Sequence, residues 1–200
     1  MARAEPQVTD RILTVPNLIS LIRLAAIPVF WWLLLDADDV AGATVLFGLV
    51  ACTDWVDGFL ARRLDQVTKL GKALDPVADR LMIASAVVAG LIADIVPPII
   101  GITLMVREVY MTVITLGLMA WKRVTLDVRW MGKLATFAVY SSIGWFYLAE
   151  IPFLERLTRP LGWVAGVAGL ILYWITAVQY TGDAVRVGSE LESPPSREET

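Results

Sequence analysis

Five aspartates crowd a short stretch of otherwise apolar chain, DWVDGFLARRLDQVTKLGKALDPVADR, running from Asp54 to Arg80; Asp65 reads as a solvated loop residue, and the other four stand at the ends of apolar runs. Asp54 and Asp57 are three residues apart, and Asp75 and Asp79 are four apart, so each pair shares one face of a helix. Two carboxylates about 4 Å apart repel by about 4 kcal/mol at an effective dielectric near 20. Four ionised ones close to lipid must take up protons or gather cations. The sequence holds no histidine and a single cysteine, Cys52. Ligation therefore falls to oxygen alone, which suits Mg2+ or Mn2+. Pairs of such ions about 3.5–4 Å apart stabilise both the entering and the leaving oxygen of a phosphoryl transfer. The same two absences exclude His-based triads, His-ligated zinc, multi-cysteine metal sites and an intramolecular disulfide.

Small and basic residues surround the acids. Gly58 and Ala61 lie four residues beyond Asp54 and Asp57, on the same helical face, and Gly71 lies one turn before Asp75. Without bulky side chains these positions either let helices approach closely or leave a slot for a flat ligand. Arg62 is one residue past that face, within reach of a diphosphate held by metals. Arg63 reads as a cytoplasmic snorkelling residue, and the same role is open to Arg62.

The elements that must position these groups are membrane spans. Of the 200 residues, 57% are apolar and 18% charged, with a mean hydropathy of +0.65, where soluble domains carry about a quarter charged residues. Apolar runs recur at Thr14–Leu35, Val40–Leu60, Ala73–Ala93, Pro98–Trp121, Trp130–Ala149 and Leu161–Tyr180. The first, 22 residues long, would reach about 33 Å as a helix, enough to cross a bilayer with tilt. It has no small-residue cleavage site behind it and reads as a retained span. The expectation is an all-α integral membrane protein of six transmembrane helices. Connectors 62–72 and 122–129 hold Arg62, Arg63, Lys69, Lys72, Lys122, Arg123 and Arg129, whereas on the other side 36–39 and 94–98 hold no Lys or Arg and 150–160 holds Arg156 and Arg159. That bias puts both termini in the cytoplasm and the acids at the cytoplasmic boundary between helices two and three. Residues 1–11 form a cytoplasmic N-terminal segment, 12–184 the transmembrane domain, and 185–200 a polar tail with Pro194 and Pro195 that is expected to be disordered.

The pattern Asp54-x2-Asp57-Gly58-x2-Ala61-Arg62-x8-Gly71-x3-Asp75-x3-Asp79 resembles the full signature of the CDP-alcohol phosphotransferase (CDP-alcohol phosphatidyltransferase) family. Eight fixed positions lie within 26 residues with every spacing intact. The resemblance implies that Asp54, Asp57, Asp75 and Asp79 hold two divalent cations, and that Asp79 also takes the proton from the acceptor hydroxyl. It implies further that Gly58, Ala61 and Gly71 line the cytidine pocket and that Arg62 contacts the diphosphate. Such an enzyme moves a phosphatidyl or similar group from a CDP-linked donor to an alcohol and releases CMP. The resemblance also implies a homodimer in the cell membrane, with CDP-diacylglycerol and an alcohol as partners. No nucleic-acid partner is expected.

Polar residues inside other runs bear on the acceptor. Asn17 and Arg23 stand in the first run, Arg107 and Glu108 near the middle of the fourth, and Lys133 just inside the fifth. Ionisable groups at such depths are costly and face a cavity or a partner. Arg107 either binds an acceptor phosphate or pairs with Glu108 or a site carboxylate; Lys133 either binds that phosphate or snorkels. Asn17 and Arg23 are read as support for the site. The segments PNLISLIR, LGKALDPVADRLM, RE and GKLATF are similar to the phosphatidylglycerophosphate synthase and CMP-forming cardiolipin synthase branch. The acceptor is then glycerol 3-phosphate or phosphatidylglycerol; phosphatidylinositol-phosphate synthesis is the alternative within the family. A cation transporter would carry acids through the full membrane depth, and an intramembrane aspartyl protease would carry two on separate helices at mid-membrane. Clustering at one boundary fits neither. An inactive membrane scaffold would not be expected to keep all eight positions. Gly166 and Gly169 in the sixth run allow close packing, within one chain or between two.

Overall fold

The computed structural model describes residues 14–64, 69–122 and 130–192, with side chains described at 14, 17–53, 77–117 and 130–182. Among the described residues every regular element is helical: α1 Val15–Trp31, a π-helical turn Trp32–Asp36, α2 Val40–Leu64, α3 Lys69–Ile92, α4 Pro98–Lys122, α5 Trp130–Leu148 and α6 Glu155–Glu192. Among the described residues, three stretches are long and apolar enough to cross a membrane: Asn17–Asp36, Pro98–Gly117 and Glu155–Gly182. Val40–Thr53 is a shorter apolar helical stretch. Their outward faces are apolar as well. On α4, Ile99, Ile102, Val106, Val109, Val113 and Leu116 are all exposed at alternating steps of three and four. A soluble helix turns charge outward on that stripe, so these side chains are built to meet lipid.

Local chemistry sets the helix ends. Thr14 is extended, and a proline in the first turn of α1 forgoes only an N–H that the helix would not have used. Inside α1, Pro28 removes a donor, and the helix loosens into the π turn soon after it, with the Ala37 N–H reaching back to the Trp32 carbonyl at 2.9 Å. Asp39 starts α2, its Oδ1 accepting from the Gly42 N–H at 2.8 Å. At the end of α3, Asp94 adopts φ 55°, which lets Ile95 and Val96 donate to the Gly90 carbonyl at 2.8 and 3.0 Å.

The chain divides into two units, residues 1–97 with 143–162, and residues 98–142 with 163–200. In the first unit α1 packs against both α2 and α3. Phe30, Phe47 and Tyr147 form a tilted and edge-on aromatic cluster with centroids 5.6–6.2 Å apart. Tyr147 donates to the Ala86 carbonyl at 2.7 Å and accepts at its own carbonyl from the Thr44 hydroxyl at 3.2 Å. One residue thus ties α2 to α3. In the second unit, a Cβ on Gly166 would lie 2.6 Å from the Ile100 side chain, and one on Gly169 would lie 2.8 Å from the Val139 backbone nitrogen. The two glycines serve close packing inside the chain.

Helix α6 departs from the expected boundaries at both ends. It begins at Glu155, ahead of Leu161, and runs to Glu192, into the segment expected to be disordered. Arg159 knits its start by pairing with Glu150 and Glu155, each at 3.2 Å. Residues 193–200 lie outside the described part.

Candidate active site

The acids lie on continuous helix. Asp54 and Asp57 belong to α2, and Asp75 and Asp79 to α3. Helical continuity through both segments gives the i, i+3 and i, i+4 spacings their face-sharing meaning. Asp57 precedes the end of α2 by seven residues and Asp75 follows the start of α3 by six. Both therefore stand about 10 Å of helix rise from the connector. The side chains of Asp54, Asp57, Gly58, Ala61, Arg62, Gly71 and Asp75 lie outside the described ones.

Asp79 is described, and Arg23 is bonded to it. The guanidinium Nη1 of Arg23 donates to Asp79 Oδ1 across the α1–α3 contact. The Arg23 side chain is 2% exposed and that of Asp79 37%. The pair is closed on the arginine side, and the carboxylate keeps an open one. Asn17 and Ser20, six and three residues before Arg23, are buried at 2% and 0%. They share with it the packed side of α1, so an apolar span carries a polar strip there. Two turns beyond Arg23, the indole N–H of Trp31 donates to Ser85 Oγ at 2.5 Å. Because Arg23 to Trp31 and Asp79 to Ser85 both ascend in number, α1 and α3 run parallel, and two polar contacts fix their register.

Sequence reasoning placed Arg23 near the site without finding its partner. The Asn17–Ser20–Arg23 spacing of three was the available signal, since it marks one side of a helix. The Trp31–Ser85 and Tyr147–Ala86 contacts had no such signal, because both join distant parts of the chain.

The remaining candidates belong to the second unit. Arg107 is buried, donates to Glu108 Oε1 at 3.3 Å and holds its guanidinium carbon 3.5 Å from the centroid of the Tyr173 ring. The Tyr173 hydroxyl donates to the same glutamate oxygen. Of the two readings of Arg107, the pairing with Glu108 is present; its Nε has no hydrogen-bond partner among the described residues. Lys133 is exposed on α5, one residue after the buried Gly132.

As a donor set, four carboxylates on two helices, in a chain with no histidine and the single cysteine Cys52, fit hard divalent cations. One of the four already accepts a buried cation's hydrogen bond, which shows that α3 presents a carboxylate to positive charge at this point.

Comparison with known proteins decides the family. Residues 13–178 match the sequence model of the CDP-alcohol phosphatidyltransferase family. The chain belongs to that family. Family members generally use divalent cations. It is similar to the CMP-forming cardiolipin synthase of Streptomyces coelicolor, with 34% identity over 178 residues, 86% of this chain and 83% of that one. It is also similar to the CDP-diacylglycerol–glycerol-3-phosphate 3-phosphatidyltransferases of Bacillus subtilis and Escherichia coli K12. The first is 33% identical, covering 80% of this chain and 91% of the relative. The second is 34% identical, covering 82% and 87%. Identity at this level does not separate the two acceptor classes.

Proposed function

We propose that this chain transfers the phosphatidyl group of CDP-diacylglycerol to a hydroxyl of a glycerol-containing acceptor, releasing CMP. The acceptor is phosphatidylglycerol, giving cardiolipin, or glycerol 3-phosphate, giving phosphatidylglycerophosphate. The observation that carries this reading is the eight-position signature standing on α2 and α3 of a family member. The relatives' names supply the donor and the acceptor class.

In the reaction, the acceptor oxygen attacks the β-phosphorus of the donor. A new phosphorus–oxygen bond forms to the acceptor, and the bond between the β-phosphorus and the bridging oxygen breaks, that oxygen leaving with CMP. The acceptor's proton passes to the Asp79 carboxylate. Asp54, Asp57, Asp75 and Asp79 would hold two divalent cations, Mg2+ or Mn2+, which neutralise charge on the diphosphate as the leaving group departs. Gly58, Ala61 and Gly71 leave room for the cytidine, and Arg62 pairs with the diphosphate. Lys133 is the exposed candidate for the acceptor's phosphate, and Arg107 offers its unengaged Nε to the same kind of group. The supporting residue Asn17 shares the polar strip of α1 with Arg23. Positioning and fixed charge supply the catalysis, as phosphoryl transfer requires little covalent help from protein.

The enzyme crosses the cell membrane six times, with both termini and the site on the cytoplasmic side, and works as a homodimer. The basic connectors support the orientation.

The test is purified protein with labelled CDP-diacylglycerol, offered glycerol 3-phosphate, phosphatidylglycerol and inositol phosphate in parallel. Metal-dependent CMP release with a glycerol-containing product is expected. A product formed only from inositol phosphate would move the chain to the other branch of the family.

A further inference from the structure

We propose that Arg23 is a positioning residue for Asp79, setting from α1 the orientation in which that carboxylate meets metal and acceptor. The inference rests on the role proposed above for Asp79. A guanidinium inside an apolar span is costly, so its position demands a partner or a function. Here it is almost wholly buried and donates to Asp79 Oδ1, while the aspartate remains partly open. The carboxylate is thereby held from its closed side. A planar guanidinium fixes the plane of a carboxylate in a way that the point charge of lysine does not.

The scaffold supports this assignment. α1 packs on both acid-bearing helices, and its register against α3 is set a second time by Trp31 and Ser85. Arg23 also brings one permanent positive charge to Asp79 at the α1–α3 contact.

The test combines turnover and stability in the full-length protein in detergent or liposomes. Arg23→Gln should lower kcat about 100-fold, the scale of a small misplacement of a reacting group, with little change in KM for CDP-diacylglycerol. Arg23→Lys, which keeps the charge and loses the fork, should melt close to wild type yet turn over clearly more slowly. Thermal unfolding gives a readout independent of activity. Asp79→Asn should lower Tm by depriving the buried guanidinium of its counter-charge, and Arg23→Gln in that background should recover part of the loss.

Several results would overturn the proposal. Additive Tm losses would show that the pair does not couple. A folded Arg23→Gln with wild-type kcat would make the pair purely structural. A raised KM at unchanged kcat would make Arg23 a donor-binding residue. If Arg23→Gln does not fold, Arg23→Lys decides: wild-type kcat there overturns the positioning role. Wild-type protein without metal-dependent CMP release would remove the proposed function itself, and this inference with it; loss of the inference alone leaves wild-type turnover intact.

Discussion

Replacing Gly90 with alanine tests the packing that holds the acid-bearing helices. A Cβ at this position would lie 2.6 Å from Val96 Cγ2, 2.9 Å from the Tyr147 hydroxyl and 3.4 Å from Tyr147 Cζ. In an exposed helix the change would gain about 1 kcal/mol, since glycine is the poorer helix former. Here the neighbours have little room to give. Val96 is β-branched and stiff at χ1, and its N–H is bonded to the Gly90 carbonyl itself at 3.0 Å. The Tyr147 hydroxyl is held by the Ala86 carbonyl at 2.7 Å, and both side chains are buried. Overpacking of this kind costs about 1–3 kcal/mol. The clash outweighs the propensity gain, leaving a net destabilisation of about 1 kcal/mol. Tyr147→Phe alone should cost about 1 kcal/mol, the net worth of its hydrogen bond. In the double variant one of the close contacts is gone, so its cost should be less than the sum of the two single costs. Unfolding of purified protein in mixed micelles, followed as denaturing detergent is added, reads all four corners of this cycle. Turnover below the transition should be unchanged, because Gly90 stands about 16 Å of helix rise beyond Asp79. A Gly90→Ala protein as stable as wild type, or strict additivity, would refute the reasoning.

Three further outcomes follow from the site and the proposed topology. Asp54→Asn, Asp57→Asn and Asp75→Asn should each lower CMP release by about 100-fold or more while the protein stays folded, because each removes an anionic ligand from the diphosphate's cations; scintillation counting of released CMP checks this. Lys133→Gln should raise KM for a phosphate-bearing acceptor and leave KM for CDP-diacylglycerol unchanged; steady-state kinetics with each substrate varied separates the two. With Cys52 replaced by serine, single cysteines in 36–39 should be labelled by impermeant maleimide from outside intact cells, and those in 65–68 only after lysis. The reverse pattern would invert the proposed orientation.

How much was legible in the sequence depended on the range of the signal. Apolar runs bounded by charge or proline located the starts at Val40, Pro98 and Trp130 to the residue. Helices α3 and α6 start earlier, at Lys69 and Glu155, than the apolar runs from Ala73 and Leu161. Hydropathy detects where a helix enters lipid, whereas Lys69–Lys72 and Glu155–Pro160 are helix built from polar residues ahead of that point. The acid spacing was readable because i, i+3 and i, i+4 are local relations. Arg23 with Asp79 and Tyr147 with Ala86 were not, since 56 and 61 residues separate them. Their pairing depends on how three helices dock. Gly166 and Gly169 announced a close contact, and only the structure supplied its partners, Ile100 and Val139.

In the proposed mechanism the α2–α3 acids bind divalent cations that make CDP-diacylglycerol reactive toward an alcohol. Its most direct test is CMP release by the purified, metal-stripped protein, titrated with Mg2+ or Mn2+, alongside Asp79→Asn. Release absent in EDTA, restored by either cation and lost in the folded variant is the predicted result. Undiminished turnover in EDTA, or full turnover by Asp79→Asn, would contradict it.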